Sequence, residues 1–266
     1  SGDTAIDIYS RAVSDVYQDL FGGGIYVGKG IYDVRAFERC LRNRAPENAL
    51  VSHDLFEGLH GRAALATDIV LYESFPTNYV GYVQRLHRWV RGDWQLLPWL
   101  GNSVPGANGQ AMPSIFSPIA RWQIVDNLRR SLISPTILLL IVAGWVILPG
   151  SAWAWTALAL AAPGGYLVLD LTRSLARGYR PGVLQNLLGQ LAERSGRWLL
   201  AIVFLVSDSF VTLDAICRTL WRVFCSRRHL LDWTSADEVS RKLASTAPRL
   251  AAWRAMWPSS LFAFVL

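Results

Sequence analysis

The run from Leu132 to Leu148 carries no charged side chain, and Arg129 and Arg130 stand just before it. At about 1.5 Å per residue such a helix comes close to crossing a hydrocarbon core of about 30 Å. Lipid offers the backbone no hydrogen-bond partners, so a segment of this kind must be helical wherever it enters a bilayer. A second apolar run, Trp153 to Leu169, is broken at Pro163-Gly164-Gly165, and Pro149-Gly150 sits between the two as a tight turn. Two short spans would return the chain to its starting side. Arg173, Arg177 and Arg180 follow the second run. Both flanks are therefore basic, and the positive-inside rule puts them in the cytoplasm. A chain that is 52% hydrophobic and only 17% charged fits this partly membrane-bound reading.

Other segments extend it. Arg121 to Arg130 has Trp122, Val125 and Leu128 on one face with arginines around them, the look of an interfacial helix, although a soluble amphipathic helix shares the pattern. Trp198 to Phe224 is apolar but includes Asp208, Asp214, Arg218 and Arg222, which favours an interfacial or bundle-buried helix over a lipid-facing span. Ala251 to Leu266 reads as the start of a further span. Before all of these, residues 1–118 read as a soluble α/β segment. Ile25-Tyr26-Val27, Ala49-Leu50-Val51 and Asp68 to Glu73 are strand candidates. Val34 to Leu41, Leu55 to Ala66 and a segment opened by Pro76-Thr77-Asn78 and running to Trp94 read as helices. Gly101 to Pro118 reads as a loop. The expected organisation is thus 1–118 cytoplasmic, 119–131 interfacial, 132–170 two transmembrane helices, 171–250 interfacial and cytoplasmic, and 251–266 a further helix.

The net charge of +6 rests almost wholly on arginine, the only lysines being Lys29 and Lys242. Arginine suits bidentate recognition of phosphate or carboxylate, though GC-rich codon usage would leave the same bias. No Lys/Arg-rich run supports a nucleic-acid partner. Cys40, Cys217 and Cys225 have no metal-ligand spacing and fit a reducing, cytoplasm-facing setting. The chain starts without methionine and stops within an apolar run, so we expect it to continue at both ends.

Chemistry concentrates in two places: Ser52-His53-Asp54-Leu55-Phe56-Glu57-Gly58, and His87-Arg88-Trp89-Val90-Arg91-Gly92-Asp93-Trp94-Gln95. Asp54 falls at a predicted strand end, where open α/β sheets place ligands, but an Asp before a helix also serves as an N-cap. Glu57, three residues on, could complete a capping box or line the same pocket. His53 could be a ligand, an acid or an ordinary hydrogen-bonding residue, and His60 carries no functional expectation. Arg88 and Arg91, at i,i+3, could clamp a diphosphate with Asp93 beside them, while Trp89 and Trp94 offer faces to a sugar. A solvated basic face with both indoles packed inward is the competing account. Gly22-Gly23-Gly24 and Gly28-Lys29-Gly30 could bring backbone N–H groups to a phosphate, but neither has the Lys-Ser/Thr ending of a phosphate loop.

Taken together, these segments resemble the cyclic β-1,2-glucan synthases. The likeness runs through Ala12 to Gly22, Val27 to Val34, Ser52 to Leu55 with Glu57-Gly58, His87-Arg88-Trp89 with Arg91 to Gln95, Leu213 to Ile216 and Arg227 to Trp233. It implies the C-terminal, acceptor-side part of a nucleotide-sugar-binding A-type glycosyltransferase domain, followed by membrane helices, in the bacterial inner membrane. It also implies an inverting transferase that uses UDP-glucose and extends a glucan chain. Asp54 would match the catalytic base of the Thr-Glu-Asp motif in related processive synthases, with Ser52-His53 in place of Thr-Glu. Arg88-Trp89 would match the Arg-Trp of their Gln-x-x-Arg-Trp motif, although Gln84 stands four residues before Arg88 and Arg85 takes the expected place. His53, Glu57, Arg91, Asp93 and Trp94 would complete the substrate site. The Mg or Mn ion of such enzymes would be held by an Asp-x-Asp motif upstream of Ser1, and a phosphorylase-like domain would lie downstream. Another processive β-glucan synthase, of the cellulose type, and a non-catalytic membrane scaffold are the alternatives.

Overall fold

The computed structural model describes residues 16–50, 53–66, 78–165, 183–232 and 256–262, with single positions at 69, 76, 172, 234, 238, 241 and 253. The chain divides into two compact units. One comprises Ser1–Ser131 and Asp214–Ala252, the other Leu132–Leu213 and Trp253–Leu266.

Helices dominate the first unit. Helix α1 covers Val16–Phe21 and α2 covers Val34–Leu41, the latter started by Asp33, whose carboxylate accepts from the Ala36 amide at 2.8 Å. Helix α3, Asp54–Gly61, ends where Arg62 turns left-handed at φ 56°. Helix α4, Tyr79–Gln95, starts at Asn78, whose side chain accepts from the Gly81 amide. After a 3-10 turn at Leu97–Leu100 comes a small antiparallel hairpin, β1 (Ser103–Pro105) and β2 (Ala111–Pro113), in which Val104 faces Met112. Its turn needs left-handed backbone at Asn108 and Gly109, which these residue types tolerate. Helix α5, Pro118–Ser131, closes this part. The core forms from Phe56 on α3, Leu96 and Trp99 after α4, Val104 and Phe116 around the hairpin, and Ala120, Ile124 and Leu128 on α5.

In the second unit α6 (Ile133–Val146) packs on α7 (Ala152–Ala161), with the bare Gly144 set against Trp155. Helix α8 (Val183–Val203) follows, and α9 (Leu205–Leu220) begins in this unit; its residues from Asp214 on, and the π-turn Trp221–Ser226 that ends it, belong to the first unit. Ile137, Ala159 and Leu205 form this unit's core, and the Trp198 indole donates to the Leu160 carbonyl at 2.8 Å.

Several expectations change. Ile25-Tyr26-Val27 joins no sheet: the pairing there is a single bridge, Gly24 to Ala63. Ala49 lies in a turn, Val51 falls outside the described residues, and so does the Asp68–Glu73 strand candidate apart from Ile69. The α/β alternation is therefore not displayed among the described residues, where the β1–β2 hairpin is the only sheet, and it lies in the segment read as a loop. Helix α5 buries Ala120, Gln123, Ile124 and Leu128, whereas Trp122 and Val125 are 50% and 38% exposed. The i,i+4 row from Ala120, not the one through Trp122, meets the core because the small Ala120 side chain permits close approach. Trp198 to Phe224 is divided at Phe204. Arg173, Arg177 and Arg180 lie outside the described residues.

The 14 residues of α6 rise about 21 Å. Among the described residues no single helix is long and apolar enough to cross a membrane. Two bent pairs, Pro118–Ser131 with Ile133–Val146 and Ala192–Val203 with Leu205–Ser226, meet the requirement by length and composition.

Candidate functional site

Asp54 is the first residue of α3, and the N-cap is His53, so the capping account of Asp54 does not hold. Glu57 reaches back to the helix start: its carboxylate accepts from the His53 backbone amide at 3.2 Å, from one residue beyond the capping-box position. That leaves the Asp54 carboxylate for other work. Gly28 lies directly over it, so close that a β-carbon on Gly28 would stand 2.7 Å from both carboxylate oxygens. Gly28 also has φ +82°, a conformation natural to glycine.

Burial is the largest influence on Asp54 and raises its pKa above the usual aspartate value. Glu57 adds to the rise, while His53, Lys29 and Arg88 work against it. A carboxylate of this kind is a better proton acceptor than a fully solvated one. Tyr26 packs against Gly58 of α3, and burial, then Glu57 and Asp54, push its phenol up. Sequence named Tyr26 within a strand candidate and Lys29 within the glycine pair Gly28-Lys29-Gly30, and placed neither beside Asp54. Both sit in the segment that ends on Gly28-Lys29-Gly30, and only the fold brings that segment onto α3.

Helix α4 supplies the other wall. His53 sits on Gly92, and its Nε2 is 3.4 Å from Asp93 Oδ1, which also accepts from Asn127 Nδ2 at 3.0 Å. The fold thus gathers His53, Asp54, Glu57, Arg88 and Asp93. Trp89 carries the Arg85 guanidinium over its ring, 4.6 Å from the centroid. Arg91 and Trp94 have different surroundings. Arg91 donates to the Asp232 carbonyl at 2.9 Å and the Leu230 carbonyl at 3.4 Å; burial, then the neighbouring Arg222, pulls its pKa down. Trp94 donates from its indole to Ser131 Oγ at 2.9 Å, and its ring packs against two apolar clusters.

Sequence reasoning also missed what α4 binds from the far end of the chain. Buried Gln95 donates to the Leu230 carbonyl at 2.8 Å, and His87 pairs with Asp214 at 3.0 Å. Asp214 and the 230–232 segment belong to stretches that carried the family likeness, and that likeness was the only signal available for them. His60, which carried no functional expectation, packs in the core: its Nδ1 lies 2.8 Å from the Phe56 carbonyl, and its ring packs on Phe56 and Phe116. Among the described residues no group of three or more His, Cys, Asp or Glu side chains is arranged to hold a metal ion.

No protein-family profile matches the chain. It is similar to the cyclic beta-(1,2)-glucan synthase NdvB of Rhizobium meliloti (strain 1021), with 40% identity over 269 residues that take in 98% of this chain. The chain spans about 9% of the length of that protein.

Proposed function

From the premise that this chain belongs to the cyclic β-(1,2)-glucan synthase family, of whose member it matches a short segment, we propose that it forms the acceptor side of a glycosyltransferase site. In this reading it is part of an A-type nucleotide-sugar-binding domain joined to membrane helices of a multi-pass bacterial inner-membrane enzyme, with the site on the cytoplasmic side. The enzyme transfers glucose from UDP-glucose to a growing β-1,2-glucan. Asp54 takes the proton from the acceptor's 2-hydroxyl as that oxygen attacks the anomeric carbon from the face opposite the diphosphate. The new C–O bond forms as the bond to phosphate breaks, and UDP departs with the electron pair, which inverts the anomeric centre. Arg88, close enough to influence Asp54, offsets charge on the departing diphosphate. Trp89 lines the sugar site. Arg91 and Trp94 serve from behind, holding the 230–232 segment and the core.

Mg or Mn would be held by residues upstream of Ser1; the described residues do not fit such an ion, and no step here passes through one. The phosphorylase-like domain would act downstream on the product.

The observation that carries the proposal is the partly buried Asp54 carboxylate, its pKa raised, at the start of α3 under Gly28 and facing Lys29 and Arg88. The test is UDP release and glucan formation in membranes carrying the complete synthase, wild type against Asp54→Asn. We expect loss of at least about a hundredfold, the scale of general-base catalysis. The wild-type rate should fall on the acid side at a pH above the ordinary aspartate range, because the raised group must be ionised to accept a proton. Undiminished turnover in Asp54→Asn would reject the base assignment.

A further inference from the structure

His53 stands next to the proposed base, yet its side chain makes no capping bond to its own helix. It turns instead to α4. Only 11% of the side chain is exposed, Nε2 is 3.4 Å from Asp93 Oδ1, and Nδ1 is buried without a partner. A proton on Nδ1 would leave a buried donor unsatisfied, at a cost of about 1–3 kcal/mol. The tautomer with its proton on Nε2, the nitrogen that faces Asp93, avoids that cost. The seat is closely fitted: a β-carbon on Gly92 would stand 3.0 Å from the ring's Cδ2. Asp93 is held in turn, since Asn127 of α5 donates to the same oxygen that faces His53. One imidazole thus joins the start of α3 to α4 and, through Asp93, to α5. Its neighbour along the backbone is Asp54, so a change in the seat moves the carboxylate.

We propose that His53 is a positioning residue: seated on Gly92 and paired with an Asp93 that Asn127 orients, it fixes the first turn of α3 so that Asp54 meets the acceptor hydroxyl. The inference rests on the reading of Asp54 as the base. A misplacement of about 1 Å can cost about a hundredfold in rate, which sets the scale of the effect. The groups that bear on Asp54 are His53 and Glu57 beside it, Arg88 from α4, and Lys29 and Tyr26 from the segment around Gly28.

The experiment uses the complete synthase in membranes, with His53→Ala, His53→Gln, Asp93→Asn and Asp54→Asn. Initial rates of UDP release are measured against UDP-glucose concentration and against pH, and are normalised to folded protein from thermal melting. His53→Ala should lower kcat by roughly ten- to a hundredfold with KM for UDP-glucose within about twofold. His53→Gln, which keeps an N–H donor for Asp93, should recover most of the rate. Asp93→Asn should lower kcat without raising KM, and with His53→Gln it carries the test if His53→Ala does not fold. Wild-type kcat in His53→Ala, or in Asp93→Asn should His53→Ala not fold, with Asp54→Asn inactive, would overturn the positioning role and leave the base intact. A raised KM at unchanged kcat would overturn it too, by making His53 a substrate ligand. Full activity in Asp54→Asn would remove the base reading, and this inference with it.

Discussion

Gly28→Ala perturbs the site without removing a charged group. The new β-carbon would stand 2.7 Å from both oxygens of Asp54, where ordinary contact begins near 3.4 Å. The shortfall is 3.4 minus 2.7, or about 0.7 Å, which the carboxylate must yield by moving off its position or the Gly28 segment by lifting away. If a displacement of about 1 Å costs about a hundredfold, then 0.7 Å corresponds to roughly ten- to thirtyfold in kcat. The left-handed φ adds a backbone cost of about 1–2 kcal/mol for a residue with a β-carbon. Stability should therefore fall modestly while turnover falls much further. Gly23→Ala is the control, because a β-carbon there meets nothing within 4 Å and the backbone is not left-handed. UDP release by the complete synthase, alongside thermal melting, reads both quantities. Gly28→Ala turning over at the wild-type rate, or Gly23→Ala losing as much, would refute the idea that Gly28 holds the Asp54 carboxylate in place.

Trp94→Phe removes the indole bond to Ser131 Oγ while keeping most of the ring between its two clusters. It should cost about 1 kcal/mol of stability and leave the KM for acceptor glucan unchanged, as melting and acceptor titration would show; a large rise in that KM would make Trp94 a sugar platform after all. His60 supplies a pH dependence. Burial is the main cause that lowers its folded pKa below the ordinary histidine value, so the unfolded chain takes up a proton first as pH falls. Stability conferred by neutral His60 is full above about pH 6.5 and is lost progressively as pH falls from there toward the folded pKa. His87, also lowered mainly by burial, adds to the trend, so His60→Phe should flatten the melting temperature against pH between 7.5 and about 5 without abolishing the slope. An unchanged slope would refute the contribution of His60.

Local pattern made much of the helical part legible. Val34–Leu41 is a helix between the predicted ends, and Asn78 starts α4 in the way its residue type suggests, because capping and periodicity act over three or four neighbours. The apolar runs from Leu132 and Trp153 are helices for the same reason, with Pro149-Gly150 between them. Sequence also brought out Asp54 but left its capping and chemical roles side by side, and the structure, with His53 as the N-cap, removes the first of them.

Chain order alone determined which residue types cluster along the backbone: acids in the first turn of α3, arginines and indoles along α4, apolar runs after α5. It could not decide which of them face one another, because that depends on contacts between residues distant in the chain. Gly28 meets Asp54 only because its segment lies over the first turn of α3. Glu57, not Asp54, reaches back to the start of that helix, a choice set by how the chain enters it. Arg88 and Arg91 look interchangeable at i,i+3, yet Arg88 bears on Asp54 while Arg91 is held by carbonyls some 140 positions later. Packing converts one repeated residue type into distinct roles, since each turn of helix meets a different partner, and the identity of that partner is a property of the tertiary structure.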